Sequence, residues 1–262
     1  SGLDFVSVHS SETLIPCHLN IGCFGSYSKN TLAYLEEATV DSSPYTDSLF
    51  MAEVNFGFGL AKNWDMGFSF PYLINSFDNS VLDRATIENY GLSEVRWGTK
   101  FRFLGNDRSG LAVVYSLNYN LIENNPYTGI DPGLTQNFEL VGDVTFGRFA
   151  VGLNLGYRLR RPGAPNSGFP IEPYGDQYIG SVAASVLLGG DTKIIAEIFG
   201  SVPTSSVSDL SDRSQTTAEF IVGAKHDFSR RVAGHLGLGR TIANGVASPD
   251  FRIYTGFNWV IA

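Results

Sequence analysis

The chain has 262 residues, a formal charge of -8, 17% charged residues and 13% aromatics. So acidic a chain lacks the basic face that neutralises phosphates, which excludes nucleic acid as a partner. Charges fall well below the roughly 25% of an average soluble domain, and 29 glycines with only two cysteines and two methionines fit a transmembrane β-barrel better than a soluble core protein.

No apolar run is long enough for a transmembrane helix. Instead, roughly twelve segments alternate apolar and polar residues for about ten positions each. The first strand is expected over residues 18–27, extendable to 34. The second covers 49–60, with Phe50, Ala52, Val54, Phe56, Phe58 and Leu60 on one face. A tight turn at Ala61-Lys62-Asn63 leads to the third, residues 64–74, and a long polar connection over 75–89 precedes the fourth, 90–103. There Leu92, Val95, Trp97, Thr99, Phe101 and Phe103 contain the apolar set, with Glu94, Arg96, Gly98, Lys100 and Arg102 between them. Neighbouring side chains of a strand point to opposite faces, so one face of this segment is apolar and the other charged. Gly105-Asn106-Asp107-Arg108 turns into the fifth strand, where Leu111, Val113, Tyr115, Leu117, Tyr119 and Leu121 alternate with smaller or polar residues.

The same pattern continues. A loop over 124–134 leads to strands at 136–146 and 149–160 around Gly147-Arg148, and a proline-rich loop fills 161–175. Strands at 178–188 and 193–202 flank Gly189-Gly190-Asp191, and a serine-rich loop fills 204–214. Strands at 216–228 and 232–241 flank Ser229-Arg230-Arg231, and the last strand is 251–261. Connections thus alternate long and short, as in barrels with long extracellular loops and short periplasmic turns. The expected fold is all-β: a transmembrane up-and-down antiparallel β-barrel of about twelve strands, with both termini on the periplasmic side. It forms a single domain over residues 1–262, in which residues 1–15 are a periplasmic or plug segment.

With the apolar face toward lipid, the lumen receives Glu53, Glu94, Arg96, Lys100, Arg102, Glu139, Asp143, Arg158, Arg160, Lys193, Glu197, Glu219, Lys225 and Arg252. Charges in a narrow interior are costly, so they pair across strands or face water. A salt-bridged filling and a hydrated pore are both compatible with that set. Aromatics expected near strand ends (Trp64, Phe70, Tyr72, Tyr90, Phe103, Phe146, Phe149, Tyr178, Phe228, Phe251 and Trp259) suit interfacial girdles, although β propensity alone also favours them. The eighth and ninth strands place Gly180, Ala184, Ala196 and Gly200 toward lipid. Small residues permit close packing in a membrane, so this wall is a candidate oligomer and lipid contact, against the plainer reading that lipid-facing glycine is merely tolerated.

Nothing points to catalysis or a cofactor. His9, His18, His226 and His235 lack metal-ligand spacing, and Gly237-Leu238-Gly239-Arg240 lacks the strand–loop–helix setting of a nucleotide loop. Cys17 and Cys23, read as sharing one face of the first strand, would lie roughly 20 Å apart, too far for a disulfide.

Several strand phrases carry a family resemblance. They are Phe56-Gly57-Phe58-Gly59-Leu60, Leu92-Ser93-Glu94-Val95-Arg96, Asn154-Leu155-Gly156-Tyr157-Arg158-Leu159-Arg160, Ala196-Glu197-Ile198-Phe199-Gly200-Ser201 and the stretch from Ala247 to Trp259. In this order the chain resembles the N-terminal barrels of OmpA-type outer-membrane proteins from predatory and gliding Gram-negative bacteria. The resemblance implies an outer-membrane location, no catalytic residues, and a peptidoglycan link only if a further domain follows Ala262. The leading expectation is a structural, non-enzymatic barrel that organises the envelope by homo-oligomerising and ordering or enclosing membrane lipids. A passive pore lined by Arg96, Arg158, Arg252 and Glu139, and an adhesin working through the long loops, are the alternatives.

Overall fold

The computed structural model describes residues 5–31, 47–77, 90–106, 108–125, 127–166, 173–205, 215–243, 245 and 247–261. Its strands are β1 (Leu19–Lys29), β2 (Asp47–Ala61), β3 (Trp64–Phe77), β4 (Tyr90–Leu92), β5 (Glu94–Gly105), β6 (Ser109–Asn120), β7 (Asn124–Asn125), β8 (Gly129–Ile130), β9 (Thr135–Phe146), β10 (Phe149–Arg160), β11 (Gln177–Gly189), β12 (Thr192–Pro203), β13 (Thr217–Asp227), β14 (Val232–Ala243) and β15 (Phe251–Ile261). All except β7 and β8 belong to one antiparallel sheet that closes on itself. β15 pairs with β1 from Leu19↔Ile261 to Lys29↔Phe251, and β1 pairs with β2 on its other edge. Because β4 and β5 are two pieces of one wall strand, the wall is a closed twelve-strand barrel, as the alternation of the sequence requires.

The split between β4 and β5 has a local cause. Tyr72 faces Leu92 but Ser69 faces Arg96, so the β4–β5 side carries one extra residue. Ser93 is that bulge, its N–H donating to the Pro71 carbonyl at 2.9 Å. Pro71 has no N–H to offer the ladder, and a bulge is where a sheet accommodates that loss. The bulge also shifts side-chain parity. Leu92 and Val95, three apart in sequence, therefore join the same apolar face, while Glu94 and Arg96 take the other.

Exposed large apolar side chains fall on one parity of each strand, for example Phe50, Val54, Phe56 and Phe58 on β2, or Leu236, Leu238 and Ile242 on β14. The opposite parity carries the buried polar residues, among them Asn154, Gln177, Glu197 and Glu219. This inversion of a water-soluble sheet turns an apolar belt toward lipid and a polar face inward. Of the aromatics expected at strand ends, Trp64, Phe146, Phe149, Tyr178, Phe228 and Phe251 lie at such ends. Phe70 instead falls in the middle of β3, opposite Val54.

Tight turns close the short-connection end. Gly147 (φ +64°), between β9 and β10, and Gly190 (φ +55°), between β11 and β12, hold left-handed backbone that other residues adopt at a cost. Two departures from the sequence reading stand at the ends of strands. Cys17 lies in the turn before β1 with φ +63°, so only Cys23 is a strand residue, and both thiols are free. The connection over 124–134 contains the short β7–β8 hairpin. It is tied down by Asp131 N–H to the Glu123 carbonyl at 2.7 Å and by a Tyr127–Thr31 hydroxyl contact at 2.8 Å.

Leu155, midway along β10 and 57% exposed, tests the orientation of the wall. Leu155→Arg should destabilise the folded barrel in a lipid bilayer by about 2–4 kcal/mol, whereas Phe228→Arg at the rim should cost about 0–1 kcal/mol. Denaturant titration of both variants refolded into vesicles measures this. Equal, small losses would mean that Leu155 faces water.

Candidate functional site

Every residue expected to face the lumen lies on the inward parity of its strand. Near the long-loop end these side chains form ion-paired groups. Arg96 on β5 reaches across β3, its Nη1 3.0 Å from Glu53 Oε2 on β2, while its Nη2 lies 2.6 Å from Glu94 Oε1. Arg252 on β15 clamps Glu219 on β13, with Nε 2.5 Å from Oε1 and Nη2 3.0 Å from Oε2. A bidentate guanidinium–carboxylate pair is the arrangement that best offsets the removal of both ions from water. Arg158 donates through Nε to Asn137 Oδ1 at 2.7 Å. Arg160 lies over the ring of Tyr174, 5.0 Å from its centroid.

Toward the short-turn end, the inward residues grip residues 5–14, which run inside the barrel. Glu197 accepts hydrogen bonds from the backbone N–H groups of Val6 and Ser7 and from the Ser7 hydroxyl. Asp143 accepts from Ser11 N–H, and Asp65 accepts from Leu14 N–H at 2.9 Å. Lys100 Nζ donates to the Ser10 carbonyl at 3.1 Å and lies 3.8 Å from Asp65. Asn154, in the amide orientation its neighbours require, accepts from His9 N–H at 2.8 Å and donates to the His9 carbonyl at 3.0 Å. His9 Nε2 stands 4.0 Å from Glu139. The Phe5 ring packs where only a glycine, Gly152, leaves space. An extended segment without a strand partner must find acceptors for its N–H groups, and carboxylates supply the strongest ones.

The segment does not fill the interior. A cavity of about 970 Å³ remains beside it, bounded by Phe5 and Leu14 and by wall residues including Glu53, Arg96, Lys225 and Arg252. It extends to the Ser229–Arg231 turn at the periplasmic end. Tyr254, fully buried on the wall of this cavity, fits because Gly223 and Gly237 leave room for its hydroxyl. Lys193 and Lys225 stand opposite one another on β12 and β13. Arg102 braces the β5–β6 turn through the carbonyls of Asn106 and Ser109, beside Gly110 and the Ser11 hydroxyl.

On the outer face, Gly180 is the direct cross-strand partner of Gly200, and Ala184 that of Ala196. On that face Val182 and Ile198, opposite one another, stand between the two small pairs, so the small residues form two separate patches across β11 and β12. Asp65, Asn137 and Asn154 were missing from the sequence-derived set. Asp65 follows from the alternation of β3 once that strand's parity is fixed, whereas the two asparagines carry no charge to single them out among many inward polar residues.

No family model matches the chain, and no curated protein matches it. Solved structures do. The COG4313 outer membrane channel from Pseudomonas putida F1 is 15% identical with a TM-score of 0.75, over 98% of this chain and 100% of the channel. The NanC porin is 6% identical with a TM-score of 0.59, over 91% and 98% of the two chains. The KdgM porin, solved with disordered oligogalacturonate, is 9% identical with a TM-score of 0.57, over 92% and 99%. At these identities the likeness establishes the fold. The chain has the fold of the β-barrels found in the Gram-negative outer membrane.

Glu197→Gln removes the charge that holds Val6 and Ser7. Hydrogen bonds to a charged group contribute roughly 1.5–3 kcal/mol each, so amide hydrogen exchange of residues 5–8 should accelerate at least tenfold by mass spectrometry. The amides of β12 and β13 should keep their protection. Unchanged exchange at residues 5–8 would show that this contact does not secure the segment.

Proposed function

We propose that the protein is a passive outer-membrane channel for small solutes, non-enzymatic, in which residues 5–14 act as a plug inside the lumen. The observation that carries this reading is the cavity of about 970 Å³ left between the segment and the wall. A lumen meant only to rigidify the barrel would be filled, since empty or loosely hydrated space forfeits packing. Here the inward charges are instead neutralised in pairs such as Arg96–Glu53 and Arg252–Glu219, leaving space between them. The plug is held by hydrogen bonds to single side chains rather than by a strand ladder, so its release requires no opening of the wall. Similarity to structures of channels and porins supports the reading without supplying a solute. A kinship with OmpA-type barrels rests on the strand phrases quoted above.

Planar-bilayer recording tests the channel. The full chain should give small, discrete conductance steps, and deletion of residues 1–15 should raise the step size severalfold. Deletion that leaves conductance unchanged would overturn the plug, and silence from both proteins would overturn the channel.

A structural reading is favoured by a different observation, the small pairs Gly180↔Gly200 and Ala184↔Ala196 on either side of Val182↔Ile198 on the lipid side. Close approach of two walls through small residues would yield a homo-oligomer and enclose lipid at its edges. Light scattering on the detergent-solubilised protein decides it. A mass of several barrels, reduced to one by Gly180→Leu and Ala184→Leu together, would support this reading, and a single-barrel mass in the wild type would remove it.

A further inference from the structure

Among the described residues, two of the inward arginines form no ion pair. Arg158 and Arg160 sit two residues apart on β10 and share its inward face, which places their Cα atoms roughly 7 Å apart. Among the described residues neither guanidinium forms an ion pair, while Arg96 and Arg252 each have a carboxylate at 3.0 Å or less. Arg160 Nε and Nη1 are buried without a hydrogen-bond acceptor, and its guanidinium stacks over the face of Tyr174. Arg158 has spent one donor, Nε, on the neutral Asn137.

Glu139, two residues along β9 from Asn137, faces the same side but stands outside ion-pair distance of Arg158, and the other nearby carboxylates are engaged. Glu94 is held by Arg96 through two nitrogens. Asp176 accepts from the Arg160 backbone N–H at 2.8 Å and from the Tyr157 hydroxyl at 3.2 Å. Tyr174 cannot provide a negative charge, because burial holds its phenol well above the usual tyrosine range. The partners flanking Arg158 across the sheet, Asn137 and Gln177, are neutral amides. Asn137 is fixed with its oxygen toward Arg158 because its Nδ2 donates to Ser116 Oγ at 2.8 Å. Arg102 also has an unpartnered Nε, but its Nη2 is engaged by turn carbonyls, which makes it a structural brace.

Two adjacent guanidinium groups partly withdrawn from water repel each other and lose hydration, an arrangement that becomes favourable when an anion joins them. A planar fork of N–H donors matches the two oxygens of a carboxylate or phosphate. We infer that Arg158 and Arg160, backed by Tyr174 and Asn137, form a binding site for the oxyanion group of a solute: a carboxylate, phosphate or sulfate. The site lies at the long-loop end of the lumen, so it would meet solutes entering from outside the cell. This deepens the channel reading by naming a solute class, but the binding itself does not require conduction.

Isothermal titration of the purified full chain in detergent with benzoate, inorganic phosphate and sulfate tests the site. At least one probe should bind saturably, benzoate alone indicating organic acids and phosphate alone indicating phosphorylated solutes. The double variant Arg158→Gln/Arg160→Gln should weaken binding at least tenfold, and Arg102→Gln should leave it unchanged. Asn137→Asp introduces a carboxylate beside Arg158 and serves as the decisive second variant. It should abolish binding while raising the thermal unfolding midpoint, which separates loss of the site from loss of the fold. Absence of binding of all three probes to the wild type, or equal binding to the wild type and Asn137→Asp, would overturn the inference. Binding without any channel conductance would retain the site and remove the channel.

Discussion

Ring closure is the constraint on which the rest of this structure depends. A strand edge exposed to hydrocarbon leaves a row of N–H and C=O groups without partners, each costing several kcal/mol. The pairing of β1 with β15 removes that edge and ties residues near 19 to residues near 261. Once the ring is closed, the period-2 alternation of every strand has one meaning, outward or inward. Bulges restore that meaning wherever a local irregularity would break it. Ser93 shows this: the extra residue keeps Glu94 and Arg96 inside after Pro71 has interrupted the ladder.

Closure also concentrates charge. Side chains from strands far apart in sequence meet in a narrow interior, and the protein meets that problem in three ways. Near the long-loop end, opposite charges pair directly, as in Arg252 with Glu219. Toward the short-turn end, carboxylates find donors in the backbone of residues 6–14, with Glu197 and Asp143 each accepting N–H groups rather than binding a cation. At Arg158 and Arg160 neither solution is present. The contrast among these three groups turns a list of inward charges into a candidate path with a plug and a charged station.

The plug and the wall depend on each other through small residues. Gly152 admits the Phe5 ring, and Gly223 with Gly237 admit the Tyr254 hydroxyl. A Cβ at any of these positions would overlap its neighbour, so the glycines of this barrel shape the interior as well as the turns. On the lipid side, a Cβ at Gly200 would run into the Thr217 carbonyl, whereas Gly180 meets only ordinary contacts, so Gly180 is the position that invites a separate explanation on the outer surface.

The sequence by itself determined the strands, their parity and the alternation of long and short connections, because each is written in a local period or a local turn signal. Leu111 to Leu121 on β6 needed no tertiary information to be read as a wall segment. It also determined which charges face inward, from Glu53 to Arg252, since parity follows from the same period. Which of those charges meet was decided only by the tertiary structure. Arg96 is two wall strands from Glu53, and Ser7 is separated from Glu197 by most of the chain. Such contacts depend on the stagger of the closed ring and the course of an irregular segment, and neither leaves a periodic trace in the residues. The same holds for the cysteines: a positive φ at Cys17 is a property of the turn that returns residues 5–15 to the wall, and spacing alone placed it in a strand.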